Sequence, residues 1–370
     1  MAPLNPPSPL STTLNTTLRL IDQFAASLSA PFQTQPQSTQ SPLPLLTASA
    51  ASLKQNITRL SLLTLTPPFS PSAIAPLLNA LNTSILPSLV TGAHLTTSEA
   101  YTASFSVEAA TLTRQCLTDL KALLQLVSTR STSPEKDLLT TSKNAITQAT
   151  GQVWARCDTL VSFADDGLAV FMTQKVGQWL ELMRDAVKEL EEWDPEEEVG
   201  EDPFGLDDAD EDDVPNVNEK NSDRAILQAG VKTEALKVLT RIPQSIHVVV
   251  KQRLGPKHVP EAATLSTAQR STLDSIINST MKVSESIDES AEAMYMGDLE
   301  RCLKMAGEAR SLAIDVVERV KDPWIPGPES KEDVYIKRAL EWIRQVQPKP
   351  RNEENGADGI VDGTKSMNIS

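Results

Sequence analysis

The side chains that most often carry chemistry are few in this chain and far apart. The three histidines are His94, His247 and His258. His94 falls in a loop before a helix, His247 inside an apolar helix and His258 beside a proline. No two share metal-ligand spacing, so ordinary surface or packing roles are expected for them. The three cysteines, Cys116, Cys157 and Cys302, are odd in number and widely spaced. No CxxC or Cys/His pattern points to a metal site or a disulfide framework, and reduced thiols are expected. Cys157 follows Val153 by one turn on an apolar stripe, where a cysteine acts as a small apolar residue. GxSxG, Walker-type, GxGxxG and HExxH patterns do not occur. No catalytic residue, metal or cofactor is therefore expected.

Charge is the next candidate for function. The formal net charge is −15. Fourteen carboxylates and no Lys or Arg lie between Glu191 and Asp213, which leaves about −1 for the rest of the chain. That block lacks the D-x-D-x-D-G spacing that arranges oxygens around calcium. It is too charged and too poor in apolar residues to offset the entropy of ordering it, so a disordered linker is expected at 194–221. The following stretch is basic, with Arg224, Lys232, Lys237, Arg241, Lys251, Arg253 and Lys257 against Glu234. Aromatic interleaving is missing, so direct nucleic-acid binding is not expected. A solvated helix face is expected there, and the acidic linker is a candidate mask for it. Lys237 and Arg241 on this face are candidate partner contacts. So are three tryptophans: Trp154, Trp193 where the linker begins, and Trp324 in a proline-rich connector. Packing of the connector against its own bundle competes with that role for Trp324, and Trp179 is expected in the core.

These residues must be positioned by helices. The chain has 370 residues, 40% of them apolar and only 4% aromatic, with 14 glycines. Leu, Ala, Ile and Val in steps of three and four mark helix faces. One stripe runs Leu46, Ala50, Leu53, Ile57 and Leu60; another runs Tyr101, Phe105, Ala109, Leu112, Cys116, Leu120, Leu123 and Val127. The latter is expected to start from a capping box of Thr96 and Glu99. Ser133-Pro134 is expected to open the helix carrying Ile146, Val153 and Cys157, with a short loop at 163–166 before the next helix. Pro87 and Pro243 are expected to kink or end their helices. After the linker, Ser222 or Asp223 is expected to start the next helix, and Ser330 with Asp333 to cap a last one.

The pattern predicts an all-α protein of two up-and-down helical bundles joined by a disordered acidic linker. The expected boundaries are a disordered N-terminus at 1–10, an N-terminal bundle at 11–193, the linker at 194–221, a C-terminal bundle at 222–348 and a disordered tail at 349–370. Neither a signal peptide nor a transmembrane helix is expected. The four serine-proline pairs, Ser8-Pro9, Ser41-Pro42, Ser70-Pro71 and Ser133-Pro134, suit proline-directed kinases.

Around residues 150–215 the chain resembles the cyclin-D1-binding protein 1 family, also called Grap2-and-cyclin-D-interacting proteins. The likeness rests on Val153-Trp154-Ala155-Arg156-Cys157, on Asp166-Gly167, on the helix ending Arg184-Asp185-Ala186-Val187-Lys188-Glu189-Leu190-Glu191-Glu192, and on Asp194-Pro195 leading into the acidic insert. The resemblance implies two bundles similar to those of talin and vinculin. It also implies binding to D-type cyclins and helix-loop-helix proteins through apolar helix faces, restraint of cell-cycle progression, and residence in cytoplasm and nucleus. A monomer without membrane association is expected. The alternative that architecture alone allows is a cytoskeletal or adhesion-type scaffold.

Overall fold

The computed structural model describes residues 9–29, 41–132, 138–194 and 217–347, with side chains from Arg224 onward in the last stretch. The chain is all-α, and no strand occurs among the described residues. The helices are α1 Pro9–Ser27, α2 Pro42–Leu65, α3 Pro71–Ala80, α4 Leu86–Leu95, α5 Ala103–Ser131, α6 Thr140–Glu192, α7 Val217–Leu239, α8 Arg241–Val249, α9 Thr267–Tyr295, α10 Leu299–Arg319 and α11 Lys331–Arg344.

Contacts divide the chain into two compact units. The first holds Met1–Lys175 and Leu254–Ile277; the second holds Val176–Arg253 and Asn278–Ser370. This division differs from the bundles expected at 11–193 and 222–348. Spacing along a helix shows which side chains share a face but not which segment covers them, so the return of residues 254–277 to the first unit was not legible. The expected linker lies outside the described residues apart from Asp194 and residues 217–221, and the latter open α7. The expected tail and residues 1–8 also lie outside them. Pro9 and Leu10 already belong to α1, where Leu10 is buried.

In the first unit, the stripes read from sequence meet in one core. Leu14 and Ile21 of α1, Leu46, Leu53, Ile57 and Leu60 of α2, Cys116, Leu120 and Val127 of α5, and Ile146, Val153 and Leu160 of α6 are all buried there. Helices α2 and α6 run antiparallel, because Thr47 pairs with Asp165, Lys54 with Asp158, and Ser61 with Thr150. In the second unit α10 packs on α7, α8 and α11.

Both prolines interrupt the α-helical hydrogen-bond pattern around the residue four positions earlier. A proline ring clashes with that carbonyl and offers it no N–H. Pro87 is preceded by a π-turn, Leu81–Ile85, which contains Thr83. The helix then continues to Leu95. Pro243 sits in α8, and the break falls after Leu239. The resulting run Pro71–Leu95 is long and apolar enough to cross a membrane by length and composition. Packing accounts for the apolarity, because Ile74, Leu78, Leu81, Leu86 and Leu89 lie in the core.

Helix starts show further corrections. Thr96 ends α4, where its hydroxyl donates to the Ala93 carbonyl at 2.6 Å, so no capping box forms with Glu99. A turn in which Ala100 and Tyr101 donate to the Thr97 carbonyl intervenes. The α5 cap is Thr102, whose hydroxyl accepts from the Phe105 N–H. Helix α6 begins at Thr140, and Ser133-Pro134 lies outside the described residues. The expected loop at 163–166 is helical, and the bend comes at Gly167, at φ 68° and ψ −170°. Phe163 is buried against Phe105 at 4.4 Å between ring centroids. The expected Ser330–Asp333 box is present on α11.

Candidate partner-binding surfaces

Five residues stand out from the sequence as partner contacts, and the fold treats them differently. Trp154 sits on the outer side of α6 in the first unit, 37% exposed, one position after the buried Val153. Leu62 of α2 is 59% exposed and follows Ser61, the residue that accepts the Thr150 hydroxyl hydrogen bond. Trp154 and Leu62 therefore lie one turn and one residue from the Thr150–Ser61 hydrogen bond that joins α6 to α2. Gly151 lies one turn before Trp154, and a Cβ there would meet no atom within 4 Å. The α6 surface is open at that position, and the pairs that join α6 to α2 are polar: Thr47–Asp165, Lys54–Asp158 and Ser61–Thr150.

In the second unit, Trp193 closes α6 and is half-buried. Its ring meets Tyr295 edge-on at 5.4 Å. Its indole N–H is buried with no hydrogen-bond partner among the described residues. Lys232 donates to the carbonyls of Glu191, at 2.9 Å, and Trp193. A cation at a helix C-terminus satisfies orphan carbonyls and complements the dipole. Met296, beside Tyr295, and Ile226 of α7 are 74% and 66% exposed.

Trp324 is an interior residue. It is buried, and its indole N–H donates to the Arg253 carbonyl at 2.7 Å. The competing reading, packing of the connector on its own bundle, is the one realised, because the ring fills an apolar site and its N–H finds a carbonyl. Trp179, expected in the core, is half-buried, and the neighbouring Leu180 takes the buried position. Arg241 lies over the Trp342 ring, 4.9 Å from its centroid, and donates to the Trp342 carbonyl at 2.7 Å. Lys237 is ion-paired with Glu234 one turn away on the exposed side of α7.

Most of the basic stretch is the solvated face the sequence indicated, with Arg224, Lys237, Lys251 and Lys257 exposed, and Arg253 is the departure from it. Arg253 is buried and ion-paired with Asp333, and its Nε donates to the Val320 carbonyl at 2.9 Å. Asp333 also accepts from the Ser330 backbone N–H at 2.7 Å and from the Ser330 hydroxyl at 3.0 Å. The backbone bond, then the hydroxyl and Arg253, hold the Asp333 carboxyl below its ordinary value against the opposing effect of burial.

Sequence reasoning missed Leu62, Ile226 and Met296. A signal for Leu62 existed, because it lies two positions past Leu60 and so falls off the α2 stripe. No combination of three His, Cys, Asp or Glu among the described residues could hold a metal ion. A groove of about 590 Å³ at the end of α5 is lined by Leu126, Arg130, Leu138, Leu139 and Ile146 with several hydroxyls. Among the described residues its lining has no His, Cys, Asp or Glu. The three histidines lie apart on separate elements; His94 meets the Ser27 hydroxyl at 3.2 Å, and burial lowers its pKa. The exposed large apolar side chains Leu62, Trp154, Ile226 and Met296 are therefore the remaining candidates for partner contacts.

No curated protein matches the chain. A family model described as Grap2 and cyclin-D-interacting, N-terminal, matches residues 45–196. The match runs from α2 to the end of α6 and takes in Leu62, Trp154 and Trp193. Residues 45–196 are accordingly similar to the N-terminal domain of Grap2 and cyclin-D-interacting proteins.

Proposed function

We propose that this chain is a regulatory binding protein without catalytic activity, and that it captures a D-type cyclin on the α2–α6 seam around Trp154 and Leu62. One observation carries the reading: the residues that match the family include an exposed tryptophan and an exposed leucine on two helices that pack together in a core. Exposed aromatic anchors of this kind supply much of the energy of protein interfaces. The biological role that follows is restraint of cell-cycle progression, exercised in cytoplasm and nucleus. Helix-loop-helix proteins form a second partner class, held by the same apolar contact. The test is a binding titration of the full chain with a purified D-type cyclin, alongside Trp154→Ala and Leu62→Ala. Trp154→Ala is expected to weaken binding at least about tenfold with the melting temperature unchanged. Equal affinity of variant and parent would remove the seam from the interface. Capture of helix-loop-helix proteins alone would reassign the partner.

A further inference from the structure

Two of the three cysteines share one site. Cys116 of α5 and Cys157 of α6 are both fully buried in the first unit's core. Their neighbours fix the register between the helices. Arg156, next to Cys157, donates to Asp119 at 2.9 Å and to Gln115 at 3.1 Å, the residues on either side of Cys116 along α5. Cys116 and Cys157 belong to one buried cluster, and Cys157 is the leading influence on the Cys116 thiol. Cys302 lies in the second unit, where its sulfur is 3.5 Å from the Ser290 hydroxyl. The chain has no fourth cysteine.

We propose that Cys116 and Cys157 are an oxidisable pair: a peroxide that reaches them converts them to an intramolecular disulfide tying α5 to α6. Access sets the rate, because both sulfurs are shielded from solvent in the closed core. Its neighbour Cys157 and burial also push the Cys116 thiol up, which keeps it protonated and unreactive there. Oxidation therefore waits for local opening of the first unit. In the opened state one sulfur, as the thiolate, attacks hydrogen peroxide. A sulfur–oxygen bond forms, the oxygen–oxygen bond breaks, and the departing hydroxide takes a proton to become water. The second sulfur then attacks the sulfenic sulfur. The disulfide bond forms, the sulfur–oxygen bond breaks, and a second water leaves. Two thiols lose two electrons and two protons, and one peroxide becomes two waters. The crosslink fixes α6, which presents Trp154 one turn before Cys157, although the inference stands on the geometry of the pair and not on the proposed function.

The experiment treats the reduced full chain with excess hydrogen peroxide, alkylates the remaining thiols and maps the peptides by mass spectrometry. The expected product is a monomer with a Cys116–Cys157 linkage and an alkylated Cys302. Its melting temperature should rise by on the order of 5 °C and fall back on reduction, as closing a long loop predicts. Formation should accelerate in mild urea. Cys302→Ala should form the same crosslink, whereas Cys116→Ala and Cys157→Ala should form none and show no peroxide-dependent rise. Full alkylation of both core cysteines after treatment would overturn the proposal. So would crosslinks mainly to Cys302, or an undiminished rise in either single variant.

Discussion

Arg253 shows how much a single residue can decide. It is a charge held inside the second unit, joined to Asp333 and to the Val320 carbonyl. Its own carbonyl accepts the Trp324 indole N–H. A buried pair gains little over an apolar replacement, but removing one partner strands the other. Asp333→Ala should therefore cost about 3–5 kcal/mol in urea unfolding, whereas a double change of Arg253→Met and Asp333→Leu should cost much less. The pH dependence follows from the lowered Asp333 carboxyl. Its contribution is complete above the unfolded carboxylate value of about 4 and is lost as pH falls through the lower folded value. Acid unfolding monitored by circular dichroism should accordingly be less steep below about pH 4 for Asp333→Asn than for the parent.

At the scale of the element, bends and caps matter most. Gly167 adopts a positive φ with extended ψ in the middle of α6, a region that side chains rarely tolerate. A Cβ there would meet no atom within 4 Å, so the penalty in Gly167→Ala is purely one of backbone. A loss of about 1–3 kcal/mol is expected by thermal melting. Gly92 makes the contrasting case, because its Cβ would lie 2.9 Å from the Leu46 Cγ and force α4 and α2 apart. The start of α5 offers a second comparison. Thr102→Ala removes a real cap and should cost about 1 kcal/mol, whereas Glu99→Ala, outside the helix, should cost little. The same helix start is held from afar, since Asp274 of α9 accepts from the Ala103 and Ser104 N–H groups, each at 2.8 Å. A carboxylate at a helix N-terminus is favourable wherever in the chain it comes from.

On the scale of the whole molecule, Asp274 shows why a cut at the acidic block will not isolate a complete first unit. Residues Leu254–Ile277 belong to that unit and follow the block in the chain. A fragment 1–193 lacks them and also leaves the α5 start without its carboxylate. That fragment should melt below the full chain and exchange its α5 amide hydrogens faster, measured by hydrogen exchange with mass spectrometry. The sequence by itself determined that the protein is helical and which side chains face inward, because a 3.6-residue period needs only local spacing to place Leu53, Val153 and Cys157 on buried stripes. It also located the α11 capping box, a local device. Only the tertiary structure decided which charges are internal, which tryptophans face out and which thiols meet. Trp154 and Trp324 look alike in sequence, as do Lys251 and Arg253, and their fates differ because burial depends on which distant segment arrives to cover them. Long-range packing of that kind leaves no period in the chain to read.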